Sequence, residues 1–123
     1  MTDALDHMWS LPINRRVPMA AVRRWVSGHL SGLVDRARID DVVLVVVELV
    51  TNSYLHAGMP VELRLAVDGG EVRVEVADHD PTIPKIRASA GRHGGNGLVI
   101  VAKLAVAWGV RPAELGKSVW ARL

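Results

Sequence analysis

The stretch from Val61 to Val76 constrains the architecture more than any other part of the chain. Val61–Val67 and Glu71–Val76 each alternate apolar and polar residues, and Asp68-Gly69-Gly70 separates them. Alternation at a period of two marks extended chain with one face toward a core and the other toward water. A glycine pair between two such runs supplies the backbone freedom a tight hairpin needs. An antiparallel hairpin is therefore expected here, and the remaining elements have to be compatible with it.

Met8–Ile13 reads as a short strand ended by Asn14-Arg15-Arg16. Pro18 suits the first turn of a helix, where a missing N–H costs nothing. Val22, Val26, Leu30 and Leu33 then recur at helical spacing to about Val34. Asp35–Asp41 is a polar break, with Asp40 placed to cap the next helix. That helix is predicted over Asp41–His56. Its valines favour strand locally, but the run is longer than an ordinary strand. Gly58 and Pro60 end it. Beyond the hairpin come a loop with Pro81 and Pro84, a glycine cluster at Gly91–Gly97, a helix over Leu98–Val106, and strands at Ala107–Val110 and Ser118–Leu123. The expected fold is α+β: a two-layer sandwich, with a mostly antiparallel sheet and about three helices on one face. Residues 1–123 are expected to form a single domain.

Half of the residues are hydrophobic, yet Phe is absent, so the core must be built mainly from Val, Leu, Ala and Ile. The absence of cysteine excludes disulfides and thiolate metal sites and fits a reducing compartment. A net charge of +2, with Lys and Arg scattered, does not suggest a direct nucleic-acid partner. No basic segment followed by an apolar one opens the sequence, and the longest apolar run, Val42–Val47, is too short to span a bilayer. A cytoplasmic protein without a membrane partner is expected.

Several residues could carry chemistry. Glu48 and Asn52 lie four apart and so share one face of the predicted helix. Glu48 is set among valines and leucines, where desolvation raises the pKa of a carboxylate and suits it to general-base work. Asn52 offers an oxygen to a hard cation such as Mg²⁺. Either residue alone is as readily structural. His56 continues the stripe without companion metal ligands and reads as a helix-end histidine. Asp78, at the end of the second hairpin strand, could accept a hydrogen bond from the exocyclic amine of adenine; in isolation it reads as a turn former beside Asp80-Pro81. Gly91, Gly94, Gly95 and Gly97 precede a helix, where backbone N–H groups can approach a phosphate. No Walker-type P-loop or dinucleotide fingerprint accompanies them. Lys85, Arg87 and Arg92 are equally readable as phosphate-neutralising lid residues or as solvated charges. Ser118 could help Asp78 hold a base, or simply belong to its strand.

Taken in order, these segments carry a resemblance. Glu48-Leu49-Val50-Thr51-Asn52-Ser53-Tyr54-Leu55-His56-Ala57 resembles the N-box of GHKL ATPases, the superfamily of gyrase, heat-shock chaperone and histidine-kinase ATP domains. Val76-Ala77-Asp78 resembles its first glycine box, Gly95-Asn96-Gly97-Leu98 its second, and Gly116-Lys117-Ser118-Val119-Trp120 its final strand. The resemblance implies a Bergerat-type two-layer fold with ATP and Mg²⁺ as cofactors. In it, Glu48 is the general base, Asn52 ligates Mg²⁺ and Asp78 contacts adenine. Gly94, Gly95, Asn96, Gly97 and Leu98 wrap the phosphates, and Ser118 approaches the base. The short form is similar to bacterial anti-sigma-factor serine kinases. That implies an anti-anti-sigma protein or a sigma factor as partner, and a homodimer as the assembly. One departure stands out: the usual Asp-x-Gly-x-Gly is Asp78-His79-Asp80-Pro81-Thr82 here. Losing both glycines stiffens the turn, and Asp80 adds negative charge near an anionic ligand, so weak nucleotide affinity is expected. A non-catalytic, ATP-sensing or partner-sequestering module is the alternative reading.

Overall fold

The hairpin forms where its pattern places it. In the computed structural model, which describes residues 7–13, 17–57, 60–79, 96–113 and 116–123, β2 (Pro60–Asp68) and β3 (Glu71–Asp78) pair antiparallel with Val67 opposite Val72 and Asp68 opposite Glu71. Gly69 and Gly70 close the turn at φ 58° and 91°, a left-handed conformation that favours glycine.

The other elements, in chain order, are β1 (His7–Pro12), α1 (Met19–Leu30), α2 (Arg36–Ala57), α3 (Asn96–Leu104), β4 (Ala107–Ala113) and β5 (Gly116–Arg122). The strands make one antiparallel sheet in the order β1-β2-β3-β5-β4. Leu63, Leu65 and Val67 on β2, Val72, Val74 and Val76 on β3, and Val119 and Ala121 on β5 are buried on one face. Alternation sends Glu62, Arg64, Arg73, Glu75, Arg111 and Arg122 to the other face, where they form ion pairs. The helices pack on the buried face: α2 against β2 and β3, flanked by α1 and α3. This is the expected two-layer α+β sandwich.

The valine-rich run is a helix because its buried positions fall three and four apart. Ile39, Val42, Val45, Val46, Leu49 and Val50 turn inward, joined by Val22, Val26 and Leu30 of α1 and Leu98 and Val101 of α3. The core is aliphatic, as the absence of Phe requires; Trp9, Trp25, Tyr54 and Trp108 pack only at its edge. At that edge the His29 ring lies between Trp9 and Trp25, at centroid distances of 4.6 and 4.9 Å.

Several boundaries differ from expectation, each for a local reason. The cap of α2 is Asp35 and not Asp40: the Arg38 N–H donates to Asp35 Oδ1 at 2.8 Å and the Ile39 N–H to its carbonyl at 3.0 Å. The helix therefore starts at Arg36, ahead of the predicted Asp41. Helix α1 stops at Leu30, short of Val34, because Gly32 takes a φ of 85°. Helix α3 ends at Leu104 because the Val106 N–H turns to the Arg122 carbonyl (2.7 Å), opening the β4–β5 pairing and leaving Val106 exposed. Strand β4 continues past Val110 to Ala113, and Pro112 is accommodated because β4 is an edge strand. Among the described residues, no helix is long and apolar enough to cross a membrane.

Candidate functional site

The C-terminal half of α2 brings the predicted residues against the end of β3. Leu49 and Val50 anchor this turn in the core, and the rotation that buries them also carries Asn52 and Ser53 inward. Ser53 Oγ donates to Asp78 Oδ2 at 3.3 Å, fastening the helix to the last residue of the strand. Asn52 is the neighbouring residue, and Glu48, partly buried, lies one helical turn before it.

Asp78 is held from a second direction. Register places it opposite Lys117 of β5, and both share the helical face of the sheet because they alternate with Val76 and Val119. Lys117 Nζ donates to Asp78 Oδ2 at 3.0 Å and to Oδ1 at 3.1 Å. Both side chains are deeply buried: Asp78 is 6% exposed and Lys117 4%. Gly116 allows this approach. A Cβ there would strike the Asp78 carbonyl and come within 2.7 Å of His79 Cα, and neither backbone atom can move aside cheaply.

Strand alternation sets Lys117, and not Ser118, beside Asp78. Ser118 is opposite Ala77 and Arg111 in register and faces the other side of the sheet. The expected partnership between Ser118 and Asp78 is thus replaced by an ion pair. Sequence reasoning missed Lys117 and Ser53. Counting in twos back from the apolar Val119 would have found the lysine, and Ser53 lies inside the helical segment already singled out.

Asn52 differs from its neighbours. It is only 8% exposed, yet among the described residues its side chain makes no hydrogen bond. Among the described residues no fully buried side-chain N or O lacks a partner, so the Asn52 amide reaches solvent through its small exposed area and is open to a ligand. Among the described residues, no group of three or more His, Asp or Glu side chains could hold a metal. A cation here would take the Asn52 oxygen together with phosphate oxygens and water, the set Mg²⁺ prefers. The Asn52 amide therefore fits a Mg²⁺–nucleotide on the α2 side, whereas the Asp78 oxygens are already engaged by Lys117 and Ser53.

Helix α3 begins at Asn96 and Gly97, so their N–H groups belong to its unsatisfied first turn. The Leu98 side chain is in the core, 1% exposed, and only its backbone could serve a phosphate. His56 lies in the last turn of α2, as expected of a helix-end histidine. Gly94 and Gly95, with Gly91, Asp80, Lys85, Arg87 and Arg92, lie outside the described residues.

Residues 14–123 match the family described as the histidine kinase-like ATPase domain. No curated protein matches the chain.

Proposed function

The chain belongs to the histidine kinase-like ATPase family, and from that premise we propose that it is an ATP-binding regulator that phosphorylates a serine or threonine of an anti-anti-sigma partner. Family membership supports ATP as the ligand. The phosphoryl-transfer reading is carried by the Glu48–Asn52 stripe, a partly buried carboxylate one turn ahead of a nearly buried amide that makes no hydrogen bond among the described residues. In the proposed reaction Glu48 accepts the proton of the partner's hydroxyl. That oxygen then bonds to the γ-phosphorus as the bond to the β–γ bridging oxygen breaks, and ADP leaves. Such transfer depends mainly on positioning and charge neutralisation, so few side chains can suffice. Asn52 would hold a Mg²⁺ ion, which when bound would supply the charge neutralisation. The first turn of α3 adds N–H donors on the phosphate side.

A second reading has its own support. Asp78 is occupied by Lys117, and the glycines that usually follow the aspartate are replaced by Asp80 and Thr82. A module that senses ATP weakly, or acts only by sequestering a sigma factor or other partner, would tolerate both. Incubation with radiolabelled ATP and a candidate anti-anti-sigma protein separates the readings. Transfer that disappears in Glu48→Gln supports the kinase. Partner binding without transfer, unchanged in Glu48→Gln, supports the sequestering module.

A further inference from the structure

We propose that Lys117 competes internally for the base-binding carboxylate: a purine amino group has to share Asp78 with the Lys117 ammonium or displace it, so residue 117 sets the nucleotide affinity and base selectivity of this chain. The inference rests on the ATP-binding reading of the same site.

The case begins with occupancy. An ionised carboxylate offers about four lone-pair positions. Lys117 Nζ bridges both Asp78 oxygens at 3.0 and 3.1 Å, and Ser53 Oγ adds a third contact at 3.3 Å. With the pair 6% and 4% exposed, water has little access to smooth an exchange of partners. The amino group of adenine is a neutral donor. Its hydrogen bond to a carboxylate is weaker than one from an ammonium. Entry of the base would also weaken a buried ion pair, and disturbing one half of such a pair is costly. The backbone cannot relieve the conflict, because Gly116 fixes β5 against the Asp78 and His79 backbone.

A consequence for selectivity follows. A lone carboxylate disfavours guanine, whose O6 would face another acceptor. An ammonium beside that carboxylate offers O6 a donor, so the wild-type pocket distinguishes ATP from GTP poorly. Removing the ammonium restores the distinction in favour of ATP.

The test is calorimetric titration of Mg-ATP and Mg-GTP into wild type, Lys117→Arg and Lys117→Thr, with folding checked by circular dichroism. Lys117→Thr/Asp78→Asn is carried in parallel, since its neutral amide keeps an acceptor oxygen without leaving a buried charge unpaired. Replacing a charge-assisted bond by an ordinary one corresponds to about tenfold in affinity. Lys117→Thr is expected to bind ATP about tenfold more tightly than wild type and to gain selectivity over GTP. The double variant, which carries the affinity test if the single one does not fold, should also bind ATP more tightly but without the gain in selectivity, because the asparagine amide offers O6 a donor. Lys117→Arg should remain at the wild-type level. Equal ATP affinity in wild type and the threonine variants would overturn the inference and leave the ATP-binding reading intact. Failure of every folded variant, wild type included, to bind ATP would overturn both.

Discussion

Ser53 on α2 donates to Asp78 at the end of β3 across 3.3 Å, and this bond registers the helix that carries Glu48 and Asn52 against the strand that carries the third candidate ligand. Removing the hydroxyl in Ser53→Ala leaves the Lys117 contact in place. The bond is long, so its loss should cost about 1 kcal/mol in stability. If the bond sets the register of the site, ATP affinity should fall as well. Chemical denaturation together with ATP titration checks both, and a stability loss with unchanged affinity would reduce Ser53 to a structural role.

The buried pair makes a sharper prediction about stability without nucleotide. Lys117→Met leaves Asp78 buried without its cation and should destabilise the fold by about 3–5 kcal/mol. Adding Asp78→Asn should recover much of that loss, because two neutral groups of similar volume need no counter-charge. A double-mutant cycle read by urea unfolding gives the coupling directly. Additive effects would mean that the two side chains do not act as a pair.

Two glycines should respond oppositely to the same substitution. Gly116→Ala drives a Cβ into the backbone of Asp78 and His79, and overpacking of this kind costs about 1–3 kcal/mol. Gly28 lies on α1 with nothing within 4 Å of its missing Cβ. Gly28→Ala should stabilise by about 0.5–1 kcal/mol through the lower conformational entropy of the unfolded chain. Thermal melts of the two variants should therefore shift in opposite directions from wild type.

The open face of the sheet predicts a pH response. Ser10 Oγ donates to Glu62 Oε2 at 2.7 Å and is the main influence holding the Glu62 carboxyl below its ordinary range; Arg64 assists and partial burial opposes. Because the folded value lies below the unfolded one, this contribution to stability is complete above the unfolded value and is lost as pH falls through the folded one. In Ser10→Ala the Glu62 titration followed by NMR should move up toward the ordinary value. At neutral pH the effect on stability should stay below about 0.5 kcal/mol, as for other solvent-accessible polar contacts. An unmoved titration would assign the shift to Arg64 instead.

Much of this architecture could be read from pattern, because burial and periodicity are local records of the same forces. The alternation of Val61–Val76 and the glycine pair specified the hairpin, and the length of the valine-rich run outweighed the strand preference of its residues. Element ends were less legible. Asp35 and Asp40 are both capable caps, and only the hydrogen bond to the Arg38 N–H distinguishes them. The site was legible along α2, where Glu48 and Asn52 are joined by helix geometry alone. It was not legible between β3 and β5, because which β5 side chain faces Asp78 depends on pairing distant in sequence. Ser118 looked the more suitable partner chemically, and the register delivered Lys117.

Calorimetric titration of ATP, with and without Mg²⁺, into wild type and Asn52→Ala tests the central claim most directly. Wild type should bind ATP, weakly and more tightly with Mg²⁺, and the Mg²⁺ dependence should vanish in the folded Asn52→Ala variant. A wild-type protein that takes up no ATP, or an alanine variant with the full Mg²⁺ dependence, would contradict the assignment of this helix face to the nucleotide.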